Sequence, residues 1–176
     1  DGYQFTPAFP DGTPMVWNPA DHGGQVPRLE VSAALEHIMS TYEVARMYAD
    51  PPYWTSEVDA WAEKYGEKVV VRWYTQRVNQ MHAAAERLLT DLRKKDTEFS
   101  HDGCLMTEGH VSAARKARRG TVQPGTDEAA LKYVLTKPGD GRKIDLAVVS
   151  ILAHQAHGDV IASGWPTEEP SYAYFI

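Results

Sequence analysis

The sequence predicts an α/β domain in which helices cover both faces of a mixed sheet. Two short apolar runs, residues 44–50 and 68–75, have the composition of buried strands. Three longer segments, residues 28–42, 55–66 and 80–95, repeat apolar residues close to the spacing of a helix. Because strands and helices alternate along the chain, we expect the helices to pack on the sheet that the strands form.

The first twenty residues predict a β-hairpin. Two β-prone runs, residues 2–9 and 13–19, flank a turn at Asp11-Gly12. An Asp-Gly pair readily adopts the tight turns that join antiparallel strands. We therefore expect these two runs to pair with each other.

The helix over residues 55–66 has recognisable ends. Thr55 or Ser56 can cap its N-terminus, and Gly66 can end it. Its inward face is predicted to consist of Val58, Trp61, Ala62 and Tyr65.

The C-terminal half predicts a helix over residues 107–119 and a hairpin that joins residues 120–124 to 131–138. A last long helix is predicted over residues 142–163. Residues 165–176 are rich in proline and aromatic residues, and we expect a loose tail there.

The length of 176 residues is enough for one domain with its own core, which we expect over residues 1–164. Cys104 is the only cysteine, so the chain cannot form an internal disulfide, and a lone thiol is typical of a reducing cytoplasm. No apolar run reaches the roughly 18 residues that a membrane-spanning helix needs. The sequence therefore predicts a cytoplasmic protein without a membrane partner.

The charges are unevenly distributed. The net charge is −6, from 18 basic and 24 acidic residues, which argues against a protein that coats nucleic acid. Residues 110–143, however, hold eight basic and only three acidic side chains. A local positive field of this kind can bind phosphates at one place, although a solvated basic helix face is an equally good interpretation. The basic residues are Arg115, Lys116, Arg118, Arg119, Lys132, Lys137, Arg142 and Lys143.

Two aspartates are candidates for a divalent metal site. Asp50 ends a predicted strand, at the edge where α/β sheets bind ligands, and the following two prolines stop the strand there. Asp145 lies in the first turn of the last helix, where the helix dipole alone would also favour a carboxylate. Carboxylates that converge on one point bind Mg²⁺ or Mn²⁺. Two such ions can activate water and stabilise the leaving oxygen in phosphodiester cleavage.

Asp50 also begins the tetrapeptide Asp-Pro-Pro-Tyr, residues 50–53, which is typical of adenine-N6 methyltransferases. Such enzymes also need a glycine-rich loop for S-adenosylmethionine. The only Gly-x-Gly is at residues 139–141, and one helix and a tail follow it. A DNA methyltransferase is therefore a remote alternative.

The loop His101-Asp102-Gly103 is a further candidate. His101 and Asp102 could orient a water molecule or a ligand beside bound metal ions. Alternatively, Asp102-Gly103 forms only the corner of a turn.

Other histidine and aromatic side chains are expected to be structural. His110 lies one turn into a predicted helix, where packing or capping is the ordinary role. His82, His154 and His157 are expected at solvated or core-edge positions of helices. The aromatic residues expected in the core, rather than stacked on bases, are Tyr53, Trp54, Trp61 and Trp73.

Five segments occur in an order that resembles a known family: "MYADPPYW" from residue 47, "VVVRW" from 69, "MHAAAERLLTDL" from 81, "SHDGCLMTEGHVSAAR" from 100 and "KPGDGRKIDLAVVSILAHQA" from 137. They resemble the nuclease domain of bacteriophage terminase large subunits, especially those of actinobacterial phages and prophages. The resemblance extends over nearly the whole chain.

This resemblance implies an RNase H-like fold and an endonuclease that cuts concatemeric DNA during genome packaging. Asp50 matches the metal-binding acid at the end of a middle strand. Asp145, within Lys143-Ile144-Asp145-Leu146-Ala147, matches the acid that begins the C-terminal helix. The implied cofactor is Mg²⁺ or Mn²⁺, and the implied location is the cytoplasm of the bacterial host. The implied partners are double-stranded DNA, an upstream ATPase domain, the small terminase subunit and the portal.

One departure from the family concerns the first catalytic aspartate, which lies on the first strand of the sheet. Residues 2–5 resemble the second strand, so we expect that the first strand and its acid are absent and that the chain cuts DNA poorly or not at all. The ATP-binding Gly-x-x-x-x-Gly-Lys-Ser/Thr motif is absent as well. A resolvase- or integrase-like relative, which would share the carboxylates, is the alternative among nucleases. Because the first acid is missing, a non-catalytic DNA-docking module is a further alternative.

Overall fold

The computed structural model describes residues 2–119, 131–139 and 141–164, and the backbone of residues 174–175. These residues form a mixed α/β structure with five α-helices and three small sheets. The expected first strand of the last hairpin, residues 120–124, lies outside the described residues, as does most of the expected tail. Within the described residues, no helix has the length and apolar character to cross a membrane.

The first sheet brings together distant parts of the chain. It contains β1 (Gly2–Phe5), β4 (Phe99–His101) and β7 (Tyr174–Phe175) in the order β4-β1-β7, with both neighbouring pairs parallel. The expected hairpin over residues 1–20 is therefore wrong, because β1 pairs with β4 instead of the adjacent run. Only a turn and an isolated bridge between Ala8 and Pro14 remain of it. Prolines at positions 7, 10 and 14 remove amide donors that a regular ladder would need.

The second sheet and its helix match the sequence prediction closely. β2 (Met47–Ala49) and β3 (Val70–Arg72) pair in parallel, and α2 (Thr55–Tyr65) joins them. Gly66 ends α2 with a positive φ of 99°, as expected. The N-terminus of α2 differs, since it has no side-chain cap. The inward face is confirmed: Val58, Ala62 and Val70 are buried, and Trp54, Trp61 and Tyr65 pack against them.

The main core lies between α3 (Val78–Arg93) and α5 (Asp145–Ala162). Trp73, which follows β3, is buried there as predicted. Its indole Nε1 donates to Met81 Sδ at 3.2 Å, and its ring stacks on Tyr48 with centroids 4.5 Å apart. Helix α1 (Arg28–Thr41) lies within one residue of its predicted bounds.

The largest correction concerns the helix predicted over residues 107–119. Helix α4 spans only Leu105–Ala113, and residues Arg115–Arg119 form strand β5. This strand pairs antiparallel with β6 (Lys132–Thr136), so the third sheet is the predicted hairpin with a different first strand. Arginine and lysine favour helices in isolation, but that preference is weak and pairing with β6 overrides it here.

The three sheets replace the single mixed sheet that the sequence predicted. Their strands are only two to five residues long among the described residues. Helices α3 and α5 pack on each other; β6 contacts α3, and β2 contacts α5.

Candidate functional site

Asp145 is the first residue of α5. The preceding residue, Ile144, is 5% exposed and anchors the helix start in the core, whereas the Asp145 side chain is 64% exposed. Lys137 Nζ lies 3.7 Å from Asp145 Oδ1, and this contact is itself half-exposed. An exposed carboxylate at a helix N-terminus, beside one cation, is available to a ligand from solvent.

His110 caps the helix that carries Asp145. Its Nδ1 accepts a hydrogen bond of 3.0 Å from the amide of Leu146, one of the helix-end amides that lack a partner within the helix. Burial lowers the pKa of His110, and the nearby Asp145 only partly opposes this effect. The neutral imidazole that results can accept the hydrogen bond. Of the two roles expected for His110, packing or capping, the structure shows capping, and the helix that it caps, α5, begins 35 residues away in sequence.

Asp102 forms the corner of a turn. Its Oδ2 accepts the amide of Thr6 at 2.7 Å, and its Oδ1 accepts the amide of Cys104 at 2.9 Å. Gly103 follows with a φ of 70°, and its amide donates to His101 Nδ1 at 3.0 Å. These bonds match the structural interpretation of this loop, because they tie Asp102 to the end of β1 and the start of α4.

A chain of contacts connects Asp102 with the start of α5. Thr6, whose amide binds Asp102, forms a hydroxyl–hydroxyl hydrogen bond of 2.9 Å with Thr107 of α4. His110, which caps α5, lies one turn after Thr107. The carboxyl end of β1 and the N-terminal end of α5 therefore both lie against α4.

The direction of β1 and β4 relative to α5 agrees with this placement. Phe99, at the start of β4, lies against His154 in the second half of α5. Gln4 of β1 donates from Nε2 to the carbonyl of Ser150 at 3.1 Å, nearer the start of α5. Both strands consequently run toward Asp145; His101 is the last residue of β4, and Asp102 follows it directly.

Asp50 has a different environment. It directly follows β2, as predicted, and is half-buried. Thr75, which comes shortly after β3, donates to it from Oγ1 at 2.5 Å and from its amide at 3.3 Å. This carboxylate therefore lies at the carboxyl edge of the second sheet, with two hydrogen bonds to hold it there.

Asp50 and Asp145 have different partners among the described residues, Thr75 for the first and Lys137 for the second. Tyr48, two residues before Asp50, donates to Asp159 at 2.5 Å, and Asp159 lies near the other end of α5. Asp145 and Asp159 are about 21 Å apart along the helix axis, at 1.5 Å per residue. The convergence of Asp50 and Asp145 on one ion stays a prediction.

The described residues do not make up a complete metal site. Among them, no group of three or more His, Cys, Asp or Glu side chains is placed so that it could hold an ion. The oxygens of Asp50 and Asp102 are engaged by hydroxyl and amide donors.

The predicted DNA-binding residues occupy two places. Lys137, Arg142 and Lys143 are exposed in the segment that leads to Asp145. Arg115, Lys116, Arg118 and Arg119 are exposed on β5, where consecutive side chains alternate between the two faces of the hairpin. Lys116 packs over the ring of Tyr133 at 4.0 Å and lies 3.5 Å from Glu86, so part of this charge is already neutralised.

The chain has relatives among bacteriophage proteins. It is 30% identical over 155 residues to the Gene 13 protein of Mycobacterium phage D29, and this match covers 84% of the chain and 25% of that protein. A match of 28% identity over 155 residues, with the same coverage, is found to the Gene 13 protein of Mycobacterium phage L5. No known family and no solved structure matches the chain. The chain spans about a quarter of the length of these relatives, and its similarity to each is confined to that quarter.

Proposed function

We propose that this chain is the DNA-cleaving domain of a bacteriophage packaging protein, of the terminase nuclease type, with an RNase H-like arrangement. The observation that carries the proposal is the position of Asp145. It is an exposed carboxylate at the start of α5, at the end toward which β1 and β4 run, with Lys137 beside it. A site of this kind lies outside the carboxyl ends of parallel strands, where α/β structures place ligands.

The phage relatives support the biological setting. They are about four times as long as the matched region, which suits a domain that works beside others in one protein. Under this proposal the partners are an ATPase domain in the same protein, the small terminase subunit and the portal, and the substrate is double-stranded phage DNA in the host cytoplasm.

The charge distribution suits a phosphate backbone near Asp145. The body of the chain is acidic, but Lys137, Arg142 and Lys143 surround this end of α5. These cations would hold DNA by its phosphates without regard to sequence. Asp145 would then face the scissile phosphate, whereas Asp50 is held by Thr75 at the edge of the neighbouring sheet.

A non-catalytic DNA-docking module is the second candidate. The observation that favours it is the lack, among described residues, of three clustered metal-ligating side chains. A hard divalent ion ordinarily takes six or more oxygen ligands, and two carboxylates alone supply few of them.

The test is cleavage of supercoiled plasmid by wild type and Asp145→Asn, each with Mg²⁺ or Mn²⁺ and each made both as the 176-residue chain, which is expected to cut poorly or not at all, and as a chain extended upstream. The amide keeps the shape of the side chain but removes its charge, so we expect cleavage to fall about 100-fold or more, the scale on which single stabilising groups act in catalysis. Asp21→Asn is the control, since Asp21 is also an exposed acid in the first turn of a short helix, Pro19–His22.

Binding of labelled duplex DNA, measured in parallel, separates the two candidates. Binding without cleavage would support the docking module. Equal cleavage by wild type and Asp145→Asn would overturn the role of Asp145, and neither binding nor cleavage would overturn both candidates.

A further inference from the structure

The large apolar side chains of helix α4 face solvent. Leu105 is 81% exposed, Val111 is 53% exposed and Met106 is 40% exposed. These three are all the large apolar residues of the helix. A surface helix ordinarily turns such residues inward, so packing within this chain does not explain the apolar character of α4.

Polar contacts hold the inward side of α4 instead. Thr107 forms its hydroxyl–hydroxyl hydrogen bond with Thr6, and His110 accepts from the amide of Leu146. Ala113, at 0% exposed, is the buried residue of the helix. These contacts fix the direction in which the helix faces and leave a contiguous apolar surface in solvent. Surfaces of this kind mark interaction sites.

The exposed face of α4 also carries an acid and a cation at different heights. Leu105, Glu108 and Ser112 follow one another at intervals of three and four residues and therefore lie on one face. Arg115, just after the helix, donates from Nη1 to the carbonyl of Ser112 at 2.8 Å and to that of Ala114 at 2.9 Å. Its guanidinium lies at the C-terminal end of this face, where Nε and Nη2 can bind a carboxylate.

This arrangement of charges is complementary to the same face turned around. In an antiparallel pair of α4 helices related by a two-fold axis, Glu108 of each copy lies opposite Arg115 of the other, and Val111 lies near the axis. Both ion pairs form together, because the same surface of each copy is used. DNA is a poor occupant, since three apolar side chains and an acid stand where phosphates need cations.

We propose that this chain pairs with a second copy of itself through α4, and that the two copies cut the two strands of one duplex. The inference rests on the proposed function, because the duplex has two strands and each copy supplies one Asp145. A two-fold protein pair matches the two-fold symmetry that relates antiparallel strands. His110 joins α4 to the start of α5, so paired α4 helices place the two Asp145 side chains on either side of the axis.

The pair is expected to be weak without DNA. Helix α4 is about 14 Å long at 1.5 Å per residue. The contact therefore buries less than the roughly 1,200 Å² at which stable interfaces begin. A duplex that binds both copies raises their effective concentration and holds them together.

Sedimentation equilibrium at increasing protein concentration, without metal or DNA, tests the contact. The wild type should associate to a dimer, and Leu105→Glu should weaken this association about ten-fold or more, because it places a charge in the apolar contact. Leu29→Glu is the matched control and should associate like wild type, since Leu29 is a similarly exposed leucine (86%) at the start of α1. Both variants should keep the wild-type Tm, as expected for exposed positions.

Charge exchange tests the antiparallel arrangement. Glu108→Arg and Arg115→Glu each place like charges opposite one another, so each variant alone should associate about ten-fold or more weakly than wild type. In a pair that contains one chain of each variant, both positions again carry opposite charges. An equimolar mixture of the two variants should therefore regain association, and a parallel contact or a contact elsewhere predicts no such recovery.

Four results would overturn the inference. The first is a wild type that stays monomeric both alone and on a duplex, and the second is equal association of Leu105→Glu and Leu29→Glu. The third is a mixture of the charge variants that associates no better than either variant. The fourth is a loss of DNA affinity in Leu105→Glu with unchanged association, which would assign the face to DNA.

Plasmid products separate this inference from the proposed function. In a chain extended upstream, wild type should convert supercoiled plasmid directly to linear DNA, whereas Glu108→Arg should accumulate nicked circles. Cleavage without association would overturn the pair alone. Association that follows these expectations without any cleavage would overturn the proposed function and leave the α4 contact.

Discussion

Asp50 and Asp145 differ in what surrounds their carboxylates. Asp50 is half-buried and accepts two hydrogen bonds from Thr75, whereas Asp145 is 64% exposed with one cation 3.7 Å away. A carboxylate that already accepts two hydrogen bonds is held in one orientation. This is expected of a metal ligand and equally of a residue with a purely structural role. Asp145 leaves more of its surface accessible to a divalent cation or a water molecule.

Replacing Thr75 with valine should destabilise the protein, since it removes the hydroxyl that donates to Asp50 and keeps the side-chain shape. A hydrogen bond to a charged group contributes about 1.5–3 kcal/mol, and partial exposure places the expected decrease near 1–2 kcal/mol. Urea denaturation of wild type and Thr75→Val measures this difference in the free energy of unfolding.

Thr41→Val is the matched control for that experiment. Thr41 donates only to a backbone carbonyl of its own helix, that of His37, and is exposed. We expect a change of less than about 0.5 kcal/mol, as for most surface substitutions. Equal effects at the two positions would show that the bond to Asp50 has no special strength.

At the scale of elements, α4 connects the ends of β1 and α5. Thr107 binds the hydroxyl of Thr6, and His110 caps α5 through the amide of Leu146. Apolar packing alone would allow α5 to slide or rotate slightly. A directional hydrogen bond at its first turn fixes the orientation in which Asp145 leaves the helix.

His110→Ala should therefore lower Tm. The loss of a helix cap costs about 1 kcal/mol, which corresponds to about 2–4 °C for a chain of this size. Thermal unfolding followed by circular dichroism measures the shift. His37→Ala is the control, since His37 is an exposed histidine inside α1; an equal shift in both variants would contradict the capping role.

The hairpin of β5 and β6 presents exposed basic side chains that are expected to contact DNA phosphates. Replacing Arg115, Lys116, Arg118 and Arg119 together with glutamine should weaken duplex binding equally for unrelated sequences, because phosphate contacts do not distinguish bases. The slope of log affinity against log salt should become shallower by about 0.9 for each phosphate that the variant no longer neutralises. Binding titrations at several salt concentrations measure both effects.

An unchanged salt slope in that quadruple variant would show that these four residues of β5 do not contact DNA phosphates. Lys137, Arg142 and Lys143 would then be the remaining basic residues of the candidate site, and glutamine at those three positions provides the comparison.

At the scale of the whole molecule, the half-buried His154 and His157 are expected to make stability depend on pH. The pKa of His157 is lowered to about 4, mainly by burial and to a smaller extent by the neighbouring His154 and Arg87, while Asp91 opposes them. Burial likewise lowers the pKa of His154, whose Nε2 lies 3.0 Å from Asp91 Oδ2. Both imidazoles are therefore neutral in the folded protein at neutral pH.

We expect the free energy of unfolding to fall as pH decreases from about 6.5 toward 4. In that range the unfolded chain binds protons at these histidines and the folded chain does not, so acid favours unfolding. The pKa values of Glu86 and Asp91 are lowered from their ordinary values of 4.5 and 3.8, respectively. The stability that these ionised carboxylates contribute is therefore lost mainly below about pH 4.5. Urea denaturation at about pH 7.5 and about pH 5.0 gives the difference.

His157→Gln should bring the free energies of unfolding at the two pH values closer together, whatever its effect on stability at either pH alone. A difference as large as that of the wild type would show that His157 does not contribute to the pH dependence.

The sequence by itself determined much of the helical structure and the position of Asp145. Helix α1 and the end of α2 at Gly66 follow from apolar spacing and glycine, and Asp145 begins α5 as the "KIDLA" segment suggested. These features were predictable because helix hydrogen bonds join residues four apart, so the information lies within a short segment.

Only the tertiary structure decided the partners of the strands and the surroundings of the candidate site. β1 pairs with β4, nearly a hundred residues away, and β5 is a strand because β6 lies beside it. Tyr53 was expected in the core, but it is 90% exposed, in a turn whose carbonyl accepts a hydrogen bond from Arg28, 25 residues earlier. A strand's hydrogen bonds and a side chain's exposure depend on distant segments, and local propensity contains no information about which of them will be adjacent.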